Sequence, residues 1–479
     1  MSLRRADSLF SNLCYLGAAR AGALCMNLVA TSRLAHALGA ENFGINSFAA
    51  SYVSYFLIVV NWGFETFLTR EIAADGSRLR SLVSSVIAMR LLLATGMIIL
   101  LFGSTSLLHT SAIAQTVVLI QGANLFSSAI GLTCVYQGLQ RMRLVAWREI
   151  VASLVNVVGI LWLVHNPDDL VFAACIAAGT QMMTNLAILT HYATEFGVPR
   201  IRLPGLADFQ VIRDSMSFFW SLLMITITYN THIVMLGLTR NATEVGLFSA
   251  GWKLFILAIA VPNLIATLFL PRIANLMTQV AERERSMELF LKGIIVCAIP
   301  TTVFGCLLTP QILILLFGPA YLPTSRTVVV LLLNALVVAL NIGFGTSMLA
   351  IGRQNAFLRV MAVGAGTGVL LNAILIPYLG GEGAAVATLV DEAVILSMLL
   401  RKCPEVPGPP VIDFAIRCVF AIIPAASAVH LVPLLPLVSE SALAMVISGC
   451  CVGTIVYVLV LRLLRIDLMH FAADLRRLQ

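Results

Sequence analysis

G-I-N-S-F-A-A-S-Y-V-S-Y-F-L-I-V-V-N-W-G-F-E-T-F-L-T-R runs from Gly44 to Arg70. It returns 202 positions later as G-L-F-S-A-G-W-K-L-F-I-L-A-I-A-V-P-N-L-I-A-T-L-F-L-P-R, from Gly246 to Arg272. Both are apolar stretches closed by an arginine. At this offset Gly44 meets Gly246, Ser47 meets Ser249, Asn61 meets Asn263, Phe67 meets Phe269 and Arg70 meets Arg272, without a gap. Apolar helices agree with one another by composition alone, but glycine, asparagine and arginine do not coincide so readily. The chain therefore reads as two similar halves.

The 479 residues are 59% hydrophobic and only 11% charged, with a mean hydropathy of +0.96. Such a chain cannot cover a water-soluble surface and reads as an integral membrane protein. Its apolar runs are about 18–25 residues long, the length that crosses a hydrocarbon core as helix. Alternation typical of an outer-membrane barrel is missing. The expected fold is all-α, with fourteen transmembrane helices at 11–32, 43–67, 82–102, 114–138, 149–165, 170–190, 215–238, 245–269, 290–309, 326–350, 359–378, 383–400, 413–435 and 442–462.

Of the 30 Lys and Arg residues, 24 fall on the side of the N-terminus in this plan and three, Arg33, Arg240 and Arg326, on the other. The positive-inside rule then puts both termini in the cytoplasm. The division expected is an N-terminal lobe over 1–190, a cytoplasmic linker over 191–214, a C-terminal lobe over 215–400, and two added helices with a basic tail over 401–479. The tail from Arg465 reads as a short amphipathic helix on the membrane surface. The N-terminus lacks a small-residue cleavage site and reads as a retained span. The ten cysteines show neither paired nor metal-ligand spacing, so neither a disulfide nor a metal site is expected. The net charge of +7 is explained by membrane orientation without invoking nucleic acid.

The repeated stretch carries polar residues at helical spacing: Ser47, Ser51, Ser54, Asn61 and Glu65 in the first copy, and Ser249, Lys253, Asn263 and Thr267 in the second. Steps of three and four put each set on one face. Such a face meets either a neighbouring helix, as hydrogen-bonding glue, or a wet cavity. Charge at depth narrows the choice, because it costs at least about 2.5–3.5 kcal/mol at a helix centre and needs a partner or water. Arg20, Arg90 and Lys253 lie at such depth. Arg20 shares its face with Asn27, and Asn230 lies at comparable depth in the seventh span. These residues, with Ser51, Asn61 and Asn263, are the candidate substrate-binding set, Arg90 having a structural ion pair as its alternative. Asp391, Glu392 and Glu65 are candidates for coupling to a proton or cation, with a neutral or salt-bridged helix contact as the alternative. The adjacent pair Asp391 and Glu392 point about 100° apart, so only one is expected to meet a cavity.

A cavity with surplus cation and neutral polar groups suits an anionic or amphiphilic substrate. No nucleotide-binding loop, HExxH or GxSxG is present, so no catalytic role is expected and no cofactor. L-A-H-A-L-G-A-E-N-F-G (Leu34 to Gly44), F-G-P-A-Y (Phe317 to Tyr321), L-A-I-G-R-Q-N (Leu349 to Asn355) and N-A-I-L-I-P-Y-L-G-G-E-G-A-A-V-A-T-L-V-D-E (Asn372 to Glu392) resemble polysaccharide exporters of the multidrug/oligosaccharidyl-lipid/polysaccharide (MOP) superfamily. These are Wzx-type flippases of lipid-linked O-antigen or capsule repeat units. The resemblance implies two pseudo-symmetric six-helix lobes around a central cavity in the bacterial inner membrane. It also implies undecaprenyl-pyrophosphate-linked oligosaccharide as substrate, moved from the cytoplasmic to the periplasmic leaflet. Membrane lipids, and the polymerase and chain-length machinery, are the partners it implies. The rival readings are a drug/cation antiporter or lipid II flippase of the same superfamily, or a polytopic polymerase or ligase.

Overall fold

Lipid leaves backbone polar groups no partner but the chain itself, so an apolar chain of this kind is driven into helices. The computed structural model describes residues 2–75, 79–106, 111–199, 205–276, 279–403, 408–432, 441–464 and 466, which are helical with short connections and contain no strand. The elements are α1 (Ser2–Asn61), α2 (Phe64–Ala74), α3 (Leu79–Thr105), α4 (Ala112–Gly122), α5 (Asn124–Ala129), α6 (Thr133–Gly138), α7 (Met142–Leu163), α8 (Leu170–Phe196), α9 (Leu206–Thr239) and α10 (Ala242–Asn275). They continue as α11 (Val280–Leu307), α12 (Thr309–Leu316), α13 (Ser325–Ala350), α14 (Gln354–Lys402), α15 (Gly408–Leu431) and α16 (Ala442–Leu463). Among the described residues, twelve helical stretches are long and apolar enough to cross a membrane. The tail from Arg465, read above as an amphipathic helix, lies outside the described residues apart from Ile466.

Two helices among these stretches are interrupted by a glycine at positive φ. Gly39 (φ 70°, ψ 173°) interrupts α1, and Gly380 (φ 57°, ψ −132°) interrupts α14. Both are left-handed conformations that glycine adopts without steric cost. On α14 the break folds the helix back on itself. The position of a Cβ on Gly364 would meet Ile395, one on Gly368 would meet Asp391, and one on Gly383 would meet Leu375. Small residues at a spacing of four thus let the two arms approach backbone to backbone.

The chain divides by contacts into two compact units, Met1–Gly246 and Leu247–Gln479. In the first, α9 packs on α1 and the Tyr55 and Thr231 hydroxyls are hydrogen-bonded at 2.7 Å. The division thus falls inside α10, and α9 groups with the helices that precede it. The repeat read from sequence reappears here as a reciprocal contact. A Cβ on Gly44 would collide with the carbonyl of Ala242, and a Cβ on Gly246 with the carbonyl of Ala40. Both glycines, and both carbonyls, are 202 positions apart. Residue i touching j while its counterpart touches i's counterpart is the contact that two-fold-related segments make.

Several boundaries differ from the expected ones. The polar stripe of the second span does not lie on one continuous helix. The helix ends at Asn61, and Trp62 (φ 43°) and Gly63 (φ 73°) turn the chain before α2 begins. A tryptophan at positive φ is strained, and it is held by a stack on Phe219 at 4.2 Å and an indole N–H donated to the Ile212 carbonyl at 3.3 Å. The second copy has no such break, and α10 continues through Asn263. The fourth span is split into α4, α5 and α6, and the fifth begins at Met142 rather than at residue 149.

Candidate functional site

Arg90 explains why the fourth span can be broken. On α3 it occupies a core position, in register with the buried Val83, Ile87 and Ala94. The chain break after α5 leaves carbonyls without helical partners. Arg90 donates to one of them, Gly131 O, at 2.9 Å and approaches Ser128 O at 3.5 Å. Its other terminal nitrogen lies 3.7 Å from Glu65, and the guanidinium sits over the Phe64 ring at 6.0 Å. The arginine is fully buried, whereas Glu65 is 59% exposed. Glu65 lies in the first turn of α2, where the helix dipole favours an acid.

In front of that clamp the first unit contains a polar cavity of about 420 Å³. Asn61 and Glu65 reach it from either side of the break after α1. Asn124, Ser127, Ser128, Thr133 and Gln137 come from α5 and α6; Arg148 and Glu149 come from α7, and Gln181 and Asn185 from α8. The lining is tied together by side chains. Ser128 donates to Asn61 Oδ1 at 2.6 Å, and Asn185 donates to the Ser127 carbonyl and hydroxyl, each at 3.0 Å. Arg148 donates to Asn185 Oδ1 at 2.9 Å and Gln181 Oε1 at 3.2 Å. Glu149 lies 3.7 Å from Arg20.

The structure therefore gathers Asn61 and Glu65 at one cavity, with Arg20 joined to it through Glu149 and Arg90 sealed behind its wall. Asn27 is exposed on α1, and Ser51 is buried. Asn230 bonds back to the Thr226 carbonyl of its own helix at 3.3 Å. These three do not line the cavity. Arg148, Gln137, Gln181, Asn185 and Asn124 do line it and lie outside the candidate set, Asn124, Gln181 and Asn185 being individually weak polar signals in their spans. A fifth span over 149–165 leaves Arg148 just outside it, whereas α7 begins at Met142. The signal that would have corrected this is the helical spacing of Leu144, Val145, Ile150 and Val151 on either side of it.

The second unit holds the remaining candidates. Lys253 is exposed on α10, with no carboxylate within 4 Å among the described residues. Asn263 is exposed and donates to the Ile259 carbonyl at 3.0 Å. Asp391 and Glu392 are both buried, contrary to the expectation that one would face an opening. The hairpin of α14 presses Asp391 against Gly368, while Asn341 of α13 donates to the Glu392 carboxylate at 2.7 Å and its carbonyl at 3.0 Å.

Comparisons with known proteins agree with this architecture. The chain is 23% identical over 402 residues to a proposed O-antigen transporter of Escherichia coli (strain K12), covering 82% of this chain and 96% of that one. A proposed O-antigen transporter of Shigella dysenteriae is likewise 23% identical, over 76% of this chain and 92% of its own. Among solved structures, the inward closed conformation of the lipid II flippase MurJ matches with a TM-score of 0.78. It is 13% identical and covers 95% of this chain and 99% of its own. An inward-facing multidrug resistance MATE family transporter of the MOP superfamily matches at 0.58, with 15% identity over 82% of this chain and 95% of its own. The likenesses to MurJ and to the MATE transporter agree with the all-helical, multi-pass membrane fold. The sequence model for polysaccharide biosynthesis proteins matches residues 9–277, more than half of the 479, and the chain belongs to that family.

Proposed function

We propose that this protein is a flippase for undecaprenyl-pyrophosphate-linked oligosaccharide. It moves the cargo from the cytoplasmic to the periplasmic leaflet by alternating access and so supplies surface polysaccharide assembly. The observation that carries the reading is the cavity of the first unit, a chamber lined by polar and charged side chains among helices whose other faces suit lipid. A membrane scaffold has no use for such a chamber, and polar groups are costly inside a bilayer unless they serve a pathway. The relatives named for O-antigen transport supply the class of cargo. Counting each broken stretch, α1 and α14, as two crossings supports fourteen spans, and the basic residues support cytoplasmic termini.

Deleting the gene should remove surface polysaccharide and leave its lipid-linked repeat unit accumulating inside, measured by surface-glycan gels and by extraction of the carrier lipid. Intact surface glycan would overturn the reading. Drug sensitivity would instead point to the antiporter alternative, and lysis to a lipid II flippase.

For the driving force we propose the buried pair Asp391 and Glu392, since a carboxylate sequestered with a single amide donor in the membrane is poised to exchange a proton or cation. Glu65 is the lesser candidate, being engaged with Arg90. Asp391→Asn should lower export about tenfold, within the range of a typical coupling free energy, and should make the residual flux insensitive to ionophores. Unchanged, ionophore-sensitive export in that variant would remove Asp391 from the coupling.

A further inference from the structure

We propose that the cavity of the first unit is a sugar subsite, taking the hydroxyl-rich glycan of a lipid-linked cargo and not its phosphates. The inference rests on the flippase reading and adds which part of the cargo this wall holds. Its volume of about 420 Å³ lies within the roughly 300–1,000 Å³ usual for small-molecule sites, ample for a sugar ring.

Charge decides between the two halves of the cargo. Each acid on the wall has a cation of its own, Arg90 for Glu65 and Arg20 for Glu149. That leaves Arg148 as the guanidinium outside those two pairs, with no carboxylate within 4 Å among the described residues. A phosphate would require the parallel pair of donors that such a group can offer. Arg148 cannot offer it, because its Nη2 already serves Gln181 and Asn185.

What the wall leaves unfilled has the chemistry of a hydroxyl. Asn124 Oδ1 and Arg148 Nε are buried without hydrogen-bond partners, one an acceptor and the other a donor. An alcohol, which both donates and accepts, can satisfy either. Gln137 lines the cavity and makes no side-chain hydrogen bond among the described residues. The wall also contains no aromatic ring, so it offers hydrogen bonds without a stacking platform. That suits a cargo that must be released rather than retained. Its position at the interrupted α5 and α6 matches the general placement of transport sites at discontinuous helices.

The test uses the detergent-solubilised full chain and two probes, undecaprenyl pyrophosphate and the same lipid carrying a neutral disaccharide that contains N-acetylglucosamine. The unmodified protein should bind the sugar-bearing lipid about tenfold more tightly than the bare one, the increment expected of two hydrogen bonds. The double variant Asn124→Ala and Gln137→Ala should lose that preference while keeping its Kd for the bare lipid and its unliganded Tm. Should the double variant not fold, each single variant should lose part of the preference. A folded variant that retains the full preference, or an unmodified protein that shows none, overturns the subsite and leaves the flippase reading standing. A chain that binds neither lipid removes both.

Discussion

Arg90→Ala should largely empty the membrane of this protein. The side chain is completely buried and holds together a broken helix, through the Gly131 carbonyl at 2.9 Å, and the Glu65 carboxylate at 3.7 Å. Truncation leaves a buried carbonyl and a carboxylate without their cation, together with a hole the size of the side chain. Losing a charged hydrogen bond to a buried carbonyl costs about 1.5–3 kcal/mol, and the hole left behind adds to that. That is a large share of the roughly 5–15 kcal/mol by which a folded domain is stable. Arg90→Lys should fall between, because an ammonium is a point donor and cannot span carbonyl and carboxylate as the planar fork does. Quantitative blotting of membranes and the Tm of the purified protein measure the effect. An alanine variant that accumulates normally and melts unchanged would show that the clamp is dispensable.

Lys253→Glu should abolish surface glycan with membrane levels of the protein unchanged. Lys253 has no carboxylate within reach among the described residues and is exposed on a membrane-length helix. A cation at that depth is tolerated where water or an anion reaches it, since at a helix centre it costs about 2.5–3.5 kcal/mol. Under the flippase reading the anion is the pyrophosphate of the cargo, and reversing the charge replaces attraction by repulsion. Because no native ion pair is broken, the fold should survive, which separates this outcome from that of Arg90→Ala. Lys253→Arg keeps the charge and should keep part of the export. Normal surface glycan in the glutamate variant would take Lys253 out of the substrate path.

Both cations are lone charges within an apolar run, Arg90 the one with a structural ion pair as its alternative, and the structure separates them. Arg90 shares its heptad with Val83, Ile87 and Ala94, so its side chain points into the unit and finds backbone to bind. Lys253 is flanked by the buried Trp252 and Leu254 on the same helix yet remains exposed itself. Depth along a span was legible; the direction of the side chain was not, because a helix that is apolar all round gives no preferred face. The acid pair shows the same limit. Adjacent positions diverge on a lone helix, but the fold-back of α14 and the packing of α13 cover both faces at once.

Helical membrane architecture and the repeat that aligns Gly44 with Gly246 were written in the sequence alone; that the two glycines touch came only from the fold. Lipid demands long apolar helices, and a backbone crossing leaves no room for anything larger than glycine. The cavity was decided only by tertiary structure. Asn61, Gln137, Arg148 and Asn185 lie on different helices, up to 124 positions apart, and no periodicity relates them. They become one surface because breaks after α1 and within the fourth span bring these helices together, and because Arg90 compensates the backbone that the second of those breaks exposes.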